Sequence, residues 1–187
     1  GLFPVGDERV APVALHQLVK VGVPLAPGVV DDALRLRFCR FNDRVLELGV
    51  LLRRFHAAHG ALLLGCAHVT GCDIDPKAPE VAAANAALNG FYDDKFTVCA
   101  GDILADAGLR RRLGTGYDIV LANIVADVII PLAALAPAFL APGGTFVCSG
   151  IIDGREDEVA AALTRAGFTV TAHDTLEEWH CFTAVLA

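Results

Sequence analysis

This chain of 187 residues contains no methionine, and it has few of the larger aromatic residues, with one tryptophan and two tyrosines. Aromatic residues make up 7% of the chain and hydrophobic residues 55%, so we expect a core built mostly from Ala, Val, Leu and Ile. Such a composition is typical of parallel strands covered by Ala-rich helices. An intact gene product begins with methionine, and we therefore expect this sequence to be a piece of a longer protein.

Basic residues are also in deficit, because 15 Lys and Arg stand against 22 Asp and Glu and leave a net charge of −7. This balance argues against direct nucleic-acid binding, which needs a positive face to displace counterions from phosphates. An acidic domain suits a basic protein partner instead, since opposite fields steer the encounter.

A membrane-spanning run is missing as well. The longest apolar stretch extends from Ile119 to Leu140, and it is interrupted by Asp127, Pro131 and Pro137. No signal peptide opens the chain, and its six cysteines include no C-x-x-C pair. We expect a cytoplasmic protein with reduced cysteines, no membrane contact and no metal site.

From residue 44 onward, short apolar runs alternate with helical patterns. The strands that we predict first are Arg44–Leu48, Ala67–Cys72, Lys95–Cys99, Tyr117–Ala122 and Thr145–Ser149. The predicted helices are Leu51–Leu64, Pro76–Leu88, Ala126–Leu140 and Arg155–Ala166. Strands that alternate with helices of this length predict right-handed crossovers and a parallel sheet.

The C-terminal end has a different pattern. Phe168 to His173 and His180 to Leu186 read as two strands with no room for a helix between them, so they must pair antiparallel as a hairpin. The two histidines flank the final turn and are expected at the surface. The sequence thus predicts an α/β fold: a doubly wound, mostly parallel seven-stranded sheet with an antiparallel C-terminal strand.

Residues 1–43 are predicted to be an N-terminal helical or linker segment, and residues 44–187 the main domain. Val10–Val21 and Val30–Cys39 have patterns compatible with helices, separated by a turn rich in proline and glycine. No candidate for chemistry lies in this segment.

Candidate ligand groups follow the predicted strands, because a doubly wound sheet binds ligands beyond the carboxyl ends of its strands. Gly49 follows the first strand and lets the backbone pass close to a ligand. Asp73 ends the second strand, 24 positions after Gly49, where a carboxylate can accept hydrogen bonds from both hydroxyls of a ribose. The simpler explanation is that Asp73 or Asp75 only caps the helix beginning at Pro76; we assign the cap to Asp75.

Two further polar residues end predicted strands. Asn123 follows the strand Tyr117–Ala122 and offers an amide that both donates and accepts hydrogen bonds. Asp102 follows the third strand and can accept a hydrogen bond from an adenine amino group. Each also has a structural explanation, Asn123 as a cap of the next helix and Asp102 as a solvated turn residue.

With these loops, roughly residues 65–187 resemble the PrmA family, which methylates a protein of the ribosomal large subunit. The most specific part is Asn-Ile-Val-Ala-Asp at 123–127, followed by Pro-Gly-Gly at 142–144 and Ser-Gly-Ile at 149–151. Asp-Ile-Asp-Pro at 73–76 also matches. The reversed final strand agrees with a class I methyltransferase, since nicotinamide-binding domains usually stay parallel.

The resemblance implies an S-adenosylmethionine-dependent protein N-methyltransferase that acts on amino groups of a ribosomal large-subunit protein. It implies that Gly49, Asp73 and Asn123 line the cofactor site, with Asp102 as a further candidate, and that Asn123 also helps to hold the acceptor amine. Methyl transfer is an in-line displacement in which the enzyme mainly positions a neutral amine, so we nominate no general base. We expect a monomer.

One loop departs from the family pattern and supports an alternative. The family has G-x-G-x-G after the first strand, whereas here bulky side chains follow Gly49 through Val50–His59, where close backbone approach is needed. Compensating frameshifts or a divergent loop would both give this pattern. The alternative is therefore a catalytically inactive methyltransferase-like module.

Two other functions are also considered. A nicotinamide oxidoreductase is favoured by Asp73 but opposed by the missing G-x-G-x-x-G motif. Methylation of a small-molecule acceptor is compatible with the fold.

Overall fold

The computed structural model of the protein describes residues 17–22, 66, 68–88 and 96–187. The strands in these ranges are β1 Gln17–Gly22, β2 His68–Asp73, β3 Phe96–Ala100, β4 Tyr117–Asn123, β5 Leu140–Ile152, β6 Phe168–Leu176 and β7 Trp179–Leu186. The helices are α1 Ala78–Leu88, α2 Ala107–Arg112, α3 Ala126–Ala133 and α4 Glu156–Arg165, with a short 3-10 turn at Ala136–Ala138.

The described strands form one mixed sheet in the order β3-β2-β1-β4-β5-β7-β6. β2 pairs with β3, and β4 with β5, in parallel. β7 is antiparallel to both β5 and β6, so the predicted C-terminal hairpin and reversed final strand are confirmed. β1 is antiparallel to both of its neighbours, β2 and β4, which makes it a second reversed strand.

The central strand β1 corrects a sequence-based expectation. The helix predicted over Val10–Val21 is wrong for Gln17–Val21, because these residues are extended and pair on both sides. The pairing satisfies backbone groups of β1, β2 and β4 at once, and Val19 and Val21 are β-branched residues that suit a strand. Tertiary pairing therefore outweighs the local helical pattern.

Several predicted elements lie outside the described residues. They are the strand Arg44–Leu48, the residue Gly49 after it, and the helices Val30–Cys39 and Leu51–Leu64. The division into segments 1–43 and 44–187 stays a prediction, although β1 of the first segment joins the sheet of the second.

The largest core cluster packs one face of the sheet against α2, α3 and α4. Leu109, Ile129, Phe146 and Leu163 are fully buried in it, and each such side chain stabilises the fold by roughly 1.5–3 kcal/mol. Helix α4 shows why the sequence folds this way, since its buried residues Val159, Ala162 and Leu163 recur at the spacing of one helical face. No described helix is long and apolar enough to cross a membrane.

The five described cysteines are free thiols, and four of them are buried. Burial raises the pKa of the Cys66 thiol to about 12, and the nearby charge of Asp118 adds to the shift. In the folded protein, Cys66 therefore stays a neutral thiol at pH values above 9.0, the usual pKa of a cysteine.

We expect the free energy of unfolding to fall as the pH rises above about 9, because Cys66 then ionises in the unfolded chain but not in the folded one. Below that pH the thiol is protonated in both states and has no effect. The measurement is denaturant unfolding of the wild type and Cys66→Ala at about pH 8 and about pH 10.5. An equal loss of stability in both proteins between these pH values would rule out this contribution.

Candidate functional site

The register of the strands brings the site candidates to one edge of the sheet. Asp73 and Asn123 both lie opposite Gln17 of β1, Ala100 lies beside Asp73, and Ser149 lies beside Asn123. Adjacent strands are about 4.8 Å apart, so the backbones of Asp73 and Asn123 are roughly 10 Å apart across β1. Register partners project to the same face of a sheet, and Asp73, Asn123 and Ser149 therefore share one face.

Asp73 supports the turn between β2 and α1. Its Oδ1 accepts a hydrogen bond from the N–H of Asp75 at 2.9 Å, and its carbonyl accepts one from the N–H of Gly101 at 2.9 Å. Asp75 Oδ1 in turn accepts from the N–H of Lys77 at 2.8 Å, so Asp75 has the capping role predicted for it. Asp73 is 2% exposed, so its carboxylate is buried at this edge.

Asn123 ends β4, and its side chain is fixed by β5. Its Oδ1 accepts a hydrogen bond from the Ser149 hydroxyl at 3.3 Å, and the Ser149 carbonyl accepts from the N–H of Ile124 at 2.9 Å. Helix α3 has Val125 as its N-cap, with no capping hydrogen bond from a side chain. The explanation of Asn123 as a helix cap is therefore wrong.

Gly150 allows β5 to pass close to the side chain of Asn123. Its φ is +83°, and a Cβ on it would lie 3.0 Å from Asn123 Oδ1 and also 3.0 Å from the backbone N and O of Ile124. The register of β5 shifts at this position, between Ser149 and Ile151. Only glycine therefore lets β5 and the end of β4 approach so closely. The sequence showed a Ser-Gly-Ile step here, but the need for its glycine becomes visible only in the structure.

Asp102 is exposed and caps its own turn. Its Oδ1 accepts hydrogen bonds from the N–H groups of Leu104 at 2.8 Å and Ala105 at 3.3 Å. The explanation of Asp102 as a turn residue is confirmed, and its contact with adenine stays a prediction. The turn lies next to Asp73, because Gly101 donates to the Asp73 carbonyl.

A histidine pair beside this edge was missed by sequence reasoning. His180 is 8% exposed, so its expected surface position is wrong. Its Nδ1 lies 2.8 Å from His173 Nε2, and its Nε2 lies 2.7 Å from Asp153 Oδ1. The contacts connect β6, β7 and the turn after β5, and no local pattern could predict a cluster drawn from three elements. Across the described ranges, no group of His, Cys, Asp or Glu side chains is arranged to hold a metal ion.

Comparison with known proteins decides the family. The family model "Ribosomal protein L11 methyltransferase (PrmA)" matches residues 57–186, which is more than half of the chain. The chain belongs to this family. The PrmA match begins just after Gly49–His56, where the glycine-rich pattern is lost, and continues into β7.

Individual relatives extend this result. The ribosomal protein L11 methyltransferase of Agathobacter rectalis is 41% identical over 185 residues, which cover 97% of this chain and 52% of the relative. Similarity to PrmA proteins therefore reaches beyond the 65–187 expected from the sequence. The chain spans about half the length of the curated relatives that it matches.

Solved structures support the fold. Ribosomal protein L11 methylase from Lactobacillus delbrueckii subsp. bulgaricus superposes with a TM-score of 0.63 at 21% identity, over 82% of this chain and 79% of that one. SMU.776, solved in complex with SAH, gives a TM-score of 0.58 at 12% identity, over 69% of this chain and 41% of that one. The α/β sheet is thus of the Rossmann-like methyltransferase type.

Proposed function

We propose that this chain is the catalytic domain of an S-adenosylmethionine-dependent protein N-methyltransferase, and that its acceptor is an amino group of a ribosomal large-subunit protein. The relatives are named for ribosomal protein L11. One observation supports the proposal most directly. In this PrmA-family chain, Asp73 and Asn123 lie opposite the same residue of β1, on one face and at one edge of the sheet.

The groups at this edge fit S-adenosylmethionine by their chemistry. Asp73 offers carboxylate oxygens to ribose hydroxyls, and a carboxylate accepts about four hydrogen bonds, so its turn bond to Asp75 is compatible with this role. Asp102 offers an acceptor for an adenine amino group. Gly49, which lies outside the described residues, is proposed as a further contact of the cofactor. When bound, the cofactor supplies the electrophilic sulfonium methyl group.

Asn123 is the residue that we propose to hold the acceptor. Its amide oxygen already accepts a hydrogen bond from Ser149, and an sp² oxygen has a second lone pair for an amine N–H. Holding a neutral amine in line with the methyl group is the main contribution that such an enzyme makes. Gly150 keeps Asn123 in place by allowing the close approach of β5.

The finer structural expectations go with this proposal. They are a doubly wound and mostly parallel seven-stranded sheet, a division of the chain into an N-terminal segment 1–43 and a methyltransferase domain 44–187, a monomeric state, no direct nucleic-acid contact and a cytoplasmic location.

Asn123→Ala is expected to lower kcat for methylation of ribosomal protein L11 about 100-fold or more, because the acceptor loses an orienting hydrogen bond in the transition state. The dissociation constant of SAH should change much less than kcat. Ser149→Ala is the matched control, since it removes only the hydroxyl that supports Asn123, and a loss of a few fold is expected from one neutral hydrogen bond. Radiolabel transfer and calorimetry provide the two readouts.

The outcomes separate the competing functions. Equal kcat in the wild type and Asn123→Ala would contradict the role of Asn123. A folded wild type that does not bind SAH would favour the inactive module, for which the pattern at Val50–His59 is the motivating observation. SAH binding with no transfer to L11 would redirect the search to other acceptors.

A further inference from the structure

Three apolar side chains form a row across the C-terminal strands, at the same edge of the sheet as the site. Ile152 of β5 and Leu176 of β6 are both register partners of Trp179, the first residue of β7. Ile152 is 51% exposed and Leu176 is 47% exposed, while Trp179 is half-buried. Single exposed apolar residues are common, but adjacent ones form a patch of the kind that binds partners.

This apolar row (Ile152, Trp179 and Leu176) lies on the same face as the candidate site. Trp179 is two residues before Cys181, which pairs with Ser149, and Ser149 pairs with Asn123. Alternate residues of a strand share a face, and two residues span about 7 Å. The apolar row is therefore one pleat farther out along the sheet than the side chains that we assign to the acceptor.

The surroundings of the apolar row are acidic. Asp174, Glu177 and Glu178 belong to the hairpin that contains the row, and residues 166–187 contain no Lys or Arg. Among the described ion pairs, none involves these three carboxylates, and Arg155 is bonded to Asp127 at 2.8 Å and to Glu158 at 3.1 Å. Within the part of the chain that the structure describes, these carboxylates therefore give the surface beside the apolar row a negative charge.

We propose that the apolar row and the three hairpin carboxylates dock a segment of the methyl-acceptor protein in which an apolar side chain is flanked by lysines. The proposal rests on the proposed function and adds a recognition surface to it. Charge favours this occupant: a second copy of this chain has a net charge of −7 and would be repelled, whereas a basic segment is attracted. Ile152 lies on β5, the strand next to Asn123, so a segment docked on the row would also bring a lysine amine close to the site.

The test measures binding of fluorescently labelled ribosomal protein L11 to the full chain by anisotropy, at about 50 mM and about 200 mM salt. Ile152→Ser with Leu176→Ser should weaken binding about tenfold at both salt concentrations, as expected for the centre of a small interface. Glu177→Asn with Glu178→Gln should weaken binding about fivefold at low salt and flatten the salt dependence, as expected for charges at the rim.

Matched controls remove similar groups elsewhere. Val81→Ser truncates another exposed apolar side chain, which is 39% exposed on α1, and Glu80→Gln with Asp157→Asn removes two exposed charges from α1 and α4. We expect changes of less than twofold for both controls. Thermal melts check that every variant is folded, and calorimetry with SAH reports the cofactor site independently.

Several results would overturn the docking surface: a wild type that does not bind L11, row variants that bind it as the wild type does, or row variants that instead convert a dimer to a monomer in sedimentation. Failure of the proposed function has a different signature. If the wild type binds no SAH but the row variants still weaken L11 binding, the docking surface stands and the proposed catalytic function falls.

Discussion

Replacing Asp73 with alanine is expected to weaken SAH binding at least about 100-fold. Two ribose hydroxyls that donate to a carboxylate make charge-assisted bonds worth about 1.5–3 kcal/mol each, and about 3 kcal/mol corresponds to roughly 100-fold in the dissociation constant. Burial of Asp73, which is 2% exposed, puts these bonds in a low-dielectric setting where they are strong. Isothermal titration calorimetry of the purified full chain measures the change.

Asp75→Ala is the control for the structural role of Asp73. Each aspartate supports the same turn through one hydrogen bond to a backbone N–H, from Asp75 in one case and from Lys77 in the other. The two variants should therefore lose similar stability, about 0.5–2 kcal/mol, while Asp75→Ala binds SAH within about threefold of the wild type. Equal loss of SAH affinity in both variants would show that Asp73 acts only through the turn.

Gly150→Ala is expected to destabilise the fold by about 2–4 kcal/mol and to weaken SAH binding as well. A positive φ costs alanine about 1 kcal/mol, and the new Cβ would meet Asn123 Oδ1 and the backbone of Ile124 at 3.0 Å. Backbone atoms cannot turn away as a flexible side chain does, so overpacking adds about 1–3 kcal/mol. Urea unfolding monitored by circular dichroism gives the free energy of unfolding.

The chain offers a matched control for this variant. Gly154 has the same φ of +83°, but a Cβ there would meet nothing within 4 Å. Gly154→Ala should therefore show the dihedral cost alone, about 1 kcal/mol. The difference between the two variants isolates the contact with Asn123 and Ile124, and a difference near zero would mean that the end of β4 can move aside freely.

The C-terminal part of the fold could be predicted from sequence because its information is local. The apolar run at Tyr117–Ala122 is observed as the strand Tyr117–Asn123. The link between the predicted strands, from His173 to His180, is too short for a helix, so the two strands can only form a hairpin. The place of β1 could not be predicted in this way. Gln17–Gly22 is a strand because β2 and β4 accept it between them, and this pairing is absent from any local window.

The same distinction holds for the site. The placement of Asp73 and Asn123 at one edge was predictable because each ends an apolar strand, and the carboxyl ends of parallel strands meet at one edge. The contribution of Gly150 depends on a close approach between two strands. The burial of His180 depends on Asp153 and His173 from other elements. Such properties arise from packing, and residue type alone does not encode them.

β1 also lies between two groups of strands in the sheet, β3 with β2 on one side and β4 with β5, β7 and β6 on the other. β2 with β3, and β4 with β5, β6 and β7, each close over short chain distances, whereas Gln17 and Asn123 are about 100 residues apart. Because loop-closure entropy disfavours the most distant pairings, we expect β1 to be inserted after the other strands have paired. Asp73 belongs to one group of strands and Asn123 to the other, so a ligand that contacts both residues holds the two groups together across β1. Such a ligand binds only the sheet in which both parts are joined, so it raises the free energy of unfolding by an amount that grows with the ratio of its concentration to its dissociation constant.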